Sequence, residues 1–441
     1  MAELGEHAPP EPGDILRSKA YVGLLVLGAL VGVPIAFVAY FFLAGVAEVQ
    51  DYVFTTLPDD LGFDGAPPWW SILPLALSGL LVGSVIRYLP GDAGHKPAEG
   101  FKTGGPVTPV ELPGVILASF TTLALGVVLG PEAPLIAIGS GLGVLAIHLL
   151  RRDAPAMAVT VIGGAGSFAA ISTLLGSPLA GAFLLMEAAG LGGAMMGVVL
   201  VPGLLAAGVG SLIYVGLDDW TGLGTFSLAI SDLPPAGSPT VSQFLWAIVI
   251  GVLAAALGTG ISRVALALQP VVERRILLLT PLVGAAMGVF VFVFVVATDR
   301  TASDVLFSGQ DQLAPLIDDA ADWTVGALVL LVVCKSLAYC AALSGFRGGP
   351  VFPAMFIGAA GGIALSHLPG LPMIAGAAMG MGAVTVAMLG LPLVSTLIVV
   401  LFLQDDGLQL TPLVIVAVVV SYLVTARLRP EPPATSSAVA T

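Results

Sequence analysis

A ten-residue skeleton, G-P-x-x-P-x-x-x-I-G, occurs twice in this chain, each time where an apolar run stops and restarts. The first copy is Gly130-Pro131-Glu132-Ala133-Pro134-Leu135-Ile136-Ala137-Ile138-Gly139, and the second is Gly349-Pro350-Val351-Phe352-Pro353-Ala354-Met355-Phe356-Ile357-Gly358, at an offset of 219. Another pair runs in the same order. Leu175-Gly176-Ser177-Pro178-Leu179-Ala180-Gly181 recurs as Leu389-Gly390-Leu391-Pro392-Leu393-Val394-Ser395, at an offset of 214. Two motifs kept in order at nearly one spacing make the chain a tandem repeat of about half its length.

Composition says where such a repeat lives. With 57% hydrophobic and 10% charged residues, it cannot be a soluble domain, whose charged share is about a quarter. It is a polytopic membrane protein, and the lipid bilayer is its first partner. Residues 1–18 are polar and proline-rich, and the apolar run from Tyr21 to Val46 is too long for a signal-peptide core, so a retained first span is expected. Cys334 and Cys340 lie in one apolar segment without the spacing of a metal or disulfide framework. Neither metal nor cofactor is expected, and nucleic acid is not a partner.

The net charge is −13, but its distribution says more than its sum. Arg17, Lys19, Arg87, Lys96, Lys102, Arg151, Arg152, Arg263, Arg274, Arg275, Arg427 and Arg429 alternate with acidic stretches at 48–64, 218–232, 311–322 and 405–406. By the positive-inside rule the basic group and both termini are cytoplasmic, in a multi-pass protein of the plasma (inner) membrane. The expected organisation is a cytoplasmic segment 1–20, a first membrane repeat 21–215, an extracellular linker 216–240, a second repeat 241–428 and a cytoplasmic tail 429–441.

Within the first repeat, an acidic outer loop from Asp51 to Pro68 and a second span from Trp69 to Leu89 are expected. The stretch Glu111 to Leu150 divides at Gly130-Pro131 into two segments, each near or just under spanning length. A helix interrupted at bilayer depth is tolerated only where its backbone is buried in protein or lines a cavity. Pro131 suits the first helical position, leaving the N–H groups of Glu132 and Ala133 open. Further breaks are expected at Gly163-Gly164, Gly176-Ser177-Pro178 and Gly192-Gly193.

Paired broken helices in corresponding positions of two halves point to a transport site near the midplane. Two helix N-termini converging from opposite leaflets offer unpaired N–H groups and partial positive charge, which makes an anion site without a formal cation. Partial charges also let an anion leave again. Glu132 stands at that site. Ionised, it would occupy the anion's place and close the path; protonated, it would swing away. The plainer reading is a carboxylate capping the first turn. Glu187 is either a proton-path residue or a paired structural carboxylate. Arg347, within the second break, faces a vestibule or snorkels.

These motifs resemble the CLC family of chloride channels and chloride/proton exchangers. Gly126 to Gly143 is similar to the family's G-x-x-L-G-R-E-G-P segment, whose glutamate gates the pathway, and Ser177-Pro178-Leu179-Ala180-Gly181 with Glu187 is similar to N-A-P-L-A-G followed by acids. Lys335 to Ala342 and Ser344 to Pro353 resemble the lysine-bearing helix and the G-G-I-F-A-P stretch, and Thr103-Gly104-Gly105-Pro106 resembles G-S-G-I-P, with Thr103 for the chloride-coordinating serine. The resemblance implies an all-α fold of two inverted repeats of short, broken, tilted helices, and a homodimer with one pore per subunit. It implies an anion-binding set of Thr103, Gly104, Gly105, Glu132, Ala133, Val351 and Phe352, with Glu132 as gate and Glu187 as the candidate for a proton path. Pro350 replaces the isoleucine of G-I-F-A-P and has no N–H to offer. No tyrosine stands near Pro433, where the family's inner gate would fall, and Ala188 stands where exchangers carry their inner proton glutamate.

The expectation is therefore passive passage of chloride or a similar monovalent anion. A chloride/proton antiporter using Glu132 and Glu187 is the alternative. An intramembrane enzyme, with Glu132 as general base, would need a second polar partner that neither repeat supplies.

Overall fold

The computed structural model describes residues 16–101, 105–190, 193–221 and 239–428. Helix is the regular element throughout these residues, as lipid demands of a backbone that must satisfy its own hydrogen bonds. In chain order the principal helices are α1 (Lys19–Asp51), α2 (Ile72–Tyr88), α3 (Leu112–Ala124), α4 (Glu132–Leu150), α5 (Ala156–Leu175), α6 (Pro178–Ala188) and α7 (Gly193–Thr221) in the first half. The second half holds α8 (Val241–Arg274), α9 (Ile276–Thr298), α10 (Val325–Gly345), α11 (Val351–Ser366), α12 (Met373–Leu389) and α13 (Pro392–Leu428). α13 is broken at Gln404, whose φ of 49° and ψ of −120° interrupt the helix. Eight helices among the described residues are long and apolar enough to cross a membrane. α3, α6 and α11, at 13, 11 and 16 residues, fall short of the roughly 20 that a crossing needs.

The two halves correspond element by element. Pro155 and Pro372 precede α5 and α12 with nearly identical backbone, φ −58° and ψ 145° against φ −61° and ψ 145°. Those helices end on left-handed glycines, Gly176 at φ 60° and Gly390 at φ 71°, a conformation that glycine adopts without a Cβ penalty. A proline then opens α6 and α13. Close crossings repeat as well: a Cβ on Gly139 or Gly143 of α4 would strike the carbonyl of Gly166 or Ile162 on α5, and one on Gly358 or Gly362 of α11 would strike that of Gly380 or Gly376 on α12. Small residues four apart let helices approach backbone to backbone, as is common in membranes. Both crossings keep the offset of 219 on the first helix of each pair.

Three boundaries differ from expectation. The acidic stretch from Asp51 is no loop at its start, because α1 continues through a π-helical turn, Tyr52–Thr56, into a short helix, Leu57–Asp60. The Trp70 indole N–H donates to the Val53 carbonyl at 2.9 Å, taking up an acceptor at the point where the helix changes pitch. Gly163-Gly164 does not break α5; Gly163 packs toward Ser140 and Val144 of α4, so it serves close approach rather than a bend. α7 runs past 215 to Thr221, so the first six residues of the expected linker are helical, and 222–238 lie outside the described residues.

Candidate functional site

The two copies of the skeleton meet at their first glycines. Gly130 donates its N–H to the Gly349 carbonyl at 2.7 Å, and Gly349 returns the bond at 2.6 Å. This reciprocal pair is the one isolated β-bridge among the described residues, and it joins the two breaks about a local two-fold relation. Each following proline has near-helical backbone and acts as the N-cap, φ −82° at Pro131 and −92° at Pro350. The helices therefore begin at Glu132 and Val351, so Pro131 is the cap of its helix and not the first helical residue expected.

Glu132 is fully buried. Its Oε1 accepts the Phe352 backbone N–H at 2.9 Å, so the carboxylate of the first repeat sits on the helix N-terminus of the second. Its Oε2 has no hydrogen-bond partner among the described residues. Gly130 and Gly349 are the floor beneath it: a Cβ on either would collide with the carboxylate. Val351 and Phe352 are completely buried, whereas Ala133 is half-buried. The structure thus brings Glu132, Val351 and Phe352 together. Thr103 and Gly104 lie outside the described residues, and Gly105 is exposed with nothing within 4 Å of where its Cβ would stand.

Two recesses approach this point. One, of about 60 Å³, is bounded by Gln50, Pro131, Ser308, Gln310 and Asp311. The other, of about 410 Å³, is bounded by Glu99, Thr259, Arg263, Leu343 and Pro350. Each reaches one of the two N-cap prolines, and the Glu132 carboxylate forms the wall of neither. On the larger side, the buried Tyr339 hydroxyl donates to the Pro350 carbonyl at 2.8 Å. Nothing in the spacing of the motifs marked this tyrosine; only the helix crossing brings it there. Asp311, on the wall of the smaller recess, is exposed.

The other charged candidates are tied elsewhere. Glu187 accepts the Leu393 and Val394 N–H groups at 3.0 and 2.7 Å, so it caps α13 across the repeats. Arg347 neither snorkels nor lines a vestibule; it is buried, its Nε donates to the Asp92 carbonyl at 2.9 Å and its Nη1 to that of Phe346 at 3.0 Å. Lys335 is also buried, its Nζ within 3.1 Å of the carbonyls of Asp304, Val305 and Leu306. With its three donors engaged, the ammonium holds a loop and does not reach for an anion.

The described part of this arrangement falls within a known sequence pattern. A family model described as voltage gated chloride channel matches residues 78–426. The chain belongs to this family. Among its relatives are putative ion-transport proteins YfeO of Escherichia coli strain SMS-3-5 and of Escherichia fergusonii, each 30% identical over 388 residues and 86% of both chains. Two solved structures share the fold. A slow cyanobacterial Cl-/H+ antiporter superposes with a TM-score of 0.76 at 18% identity, over 93% of this chain and 95% of its own. A CLC-type fluoride/proton antiporter gives a TM-score of 0.65 at 22% identity, over 92% of this chain and 96% of its own. The family's all-α membrane architecture of two inverted repeats is therefore that of this protein.

Proposed function

We propose that this CLC-family protein exchanges a monovalent anion, chloride or fluoride, for protons, with Glu132 as the gate and as the group that takes up the proton. The observation that carries the reading is the buried Glu132 carboxylate, bonded to the Phe352 N–H where an anion would sit. A carboxylate on the anion's own site makes anion and proton occupancy mutually dependent: protonation removes the charge that competes with the anion. The two recesses end on different N-cap prolines, Pro350 and Pro131, an arrangement suited to alternation more than to open passage. That both structural relatives are named as proton antiporters supports the same reading. Exchange therefore takes the place of the passive channel expected from Ala188. Glu187, which caps α13, is in this reading a structural carboxylate. The anion would be held by the N–H groups of Val351 and Phe352, with Thr103, Gly104, Gly105 and Ala133 completing the set. A homodimer with one pathway per subunit, in the plasma (inner) membrane with both termini cytoplasmic, belongs to the same proposal.

The test is simultaneous recording of anion efflux and external pH with purified protein in liposomes. Wild type should move protons against a pH gradient in a fixed ratio to anions, and Glu132→Ala should pass anions without protons. Wild-type efflux with no proton movement returns the protein to the passive channel.

A further inference from the structure

Exchange at Glu132 requires protons to reach it from both sides, and the inner side lacks an obvious carrier. Glu187 is engaged with two backbone N–H groups, and its neighbour is Ala188. The larger recess supplies another carboxylate. It opens on the face that carries Lys96 and Arg263, and it runs from Glu99 and Gly100 to Pro350, the cap of the helix whose second N–H holds Glu132. At about 410 Å³ it has room for several waters, each of which needs about 30 Å³ and two or more polar partners. One such partner is present along its wall: the Thr259 hydroxyl, 3% exposed, has no hydrogen-bond partner among the described residues. The Tyr339 hydroxyl meets the Pro350 carbonyl at the far end.

We infer that Glu99 is the inner proton-loading carboxylate of this exchanger, passing protons through the water of this recess toward Glu132. The inference rests on the exchange reading. Its step is a simple transfer: a proton from the inner solution forms the O–H bond of Glu99, that bond breaks as the proton moves to cavity water beside Pro350, and the Glu132 carboxylate receives it once it has turned off the Phe352 N–H toward that proline. Glu99 is positioned for this. Its Oε1 accepts from Gln269 Nε2 at 3.3 Å, and the same amide donates to Glu273 Oε1 at 2.9 Å. Glu273 in turn pairs with Lys96 at 2.8 Å. The charged and titratable groups around Glu99 are Lys96, Asp92 and His95 on its own loop, Glu273 and Arg263 on α8, and Arg347 from the second break, whose guanidinium feels Asp92, Glu273 and Glu99 together. The amide of Gln269 fixes the carboxylate at the cavity edge, and Glu99 remains exposed to it.

The deciding measurement is the proton-to-anion ratio in liposomes for wild type, Glu99→Gln, Glu99→Asp and Glu187→Gln, with thermal melting of each to establish folding. Glu99→Gln should cut the ratio about tenfold or more, equivalent to about 1.4 kcal/mol. Glu99→Asp, which keeps the carboxylate but draws it back from Gln269, should give an intermediate ratio, and Glu187→Gln should keep the wild-type value. A folded Glu99→Gln protein with the wild-type ratio overturns the inference. If that variant does not fold, an unchanged ratio in Glu99→Asp overturns it instead, and loss of coupling in Glu187→Gln alone moves the role to Glu187. Failure of exchange itself looks different: wild type then moves no protons at all.

Discussion

The two breaks share a backbone and differ in the side chain that opens each helix. Gly130-Pro131 and Gly349-Pro350 bond to each other reciprocally, cap their helices with the same proline geometry and cross the following helix at glycines. The first helix then begins with Glu132 and the second with Val351. Symmetry builds the converging N-termini twice; a single asymmetric carboxylate occupies them. The paired helix starts and the carboxylate that occupies them are thus separate, and each can be altered alone.

The strongest way to break the comparison is to make it exact. Val351→Glu places a second carboxylate at a fully buried position beside the first, where an unpaired charge costs at least several kcal/mol. Transport at neutral pH should be abolished and should return as acid neutralises one of the pair, which a flux-against-pH series will read. Gly349→Ala tests the shared floor. Its Cβ would collide with the Glu132 carboxylate, and overpacking of this kind costs about 1–3 kcal/mol. A lowered melting temperature is expected, and the double variant with Glu132→Ala, which removes the atoms struck, should recover it. An unrelieved loss in the double variant would mean that the backbone bridge, and not the carboxylate, sets the constraint.

Glu187→Ala removes a cap that spans the repeats and should cost about 1–2 kcal/mol of stability, seen as a lower melting temperature with the proton-to-anion ratio intact. The smallest effect is expected at the smaller recess. Asp311 is an exposed carboxylate on its wall. Acid on that side removes this negative charge from the recess and speeds anion entry. Asp311→Asn should raise the entry rate at neutral pH and flatten its response to acid, measurable as initial uptake rates at low salt, where such steering is least screened.

Much of the fold was legible because it is written as local signals. Prolines and glycines at offsets of 219 and 214 marked the breaks, the caps and the two repeated halves, and Glu132 stood out as an acid where a membrane helix begins. Gly163-Gly164 misled because a glycine pair signals a bend and a close approach alike, and only the neighbour, α4, distinguishes them. Arg347 misled for a related reason: an arginine near a break suggests a vestibule, yet its partners, the carbonyls of Asp92 and Phe346, are backbone atoms that no side-chain pattern announces.

Hydropathy, charge placement and the duplicated skeleton by themselves determined that this chain is a membrane-spanning tandem repeat with a carboxylate at one of two matched helix starts. These are properties of residue type and order, read within a few turns of chain. Tertiary structure alone decided which N–H that carboxylate takes, that Glu187 is held as a cap, that Glu99 lies on a recess leading to Pro350, and that Tyr339 bonds the carbonyl of that proline. Those partners are separated by up to hundreds of residues, and only packing of the two halves against each other chooses among the many that composition would allow.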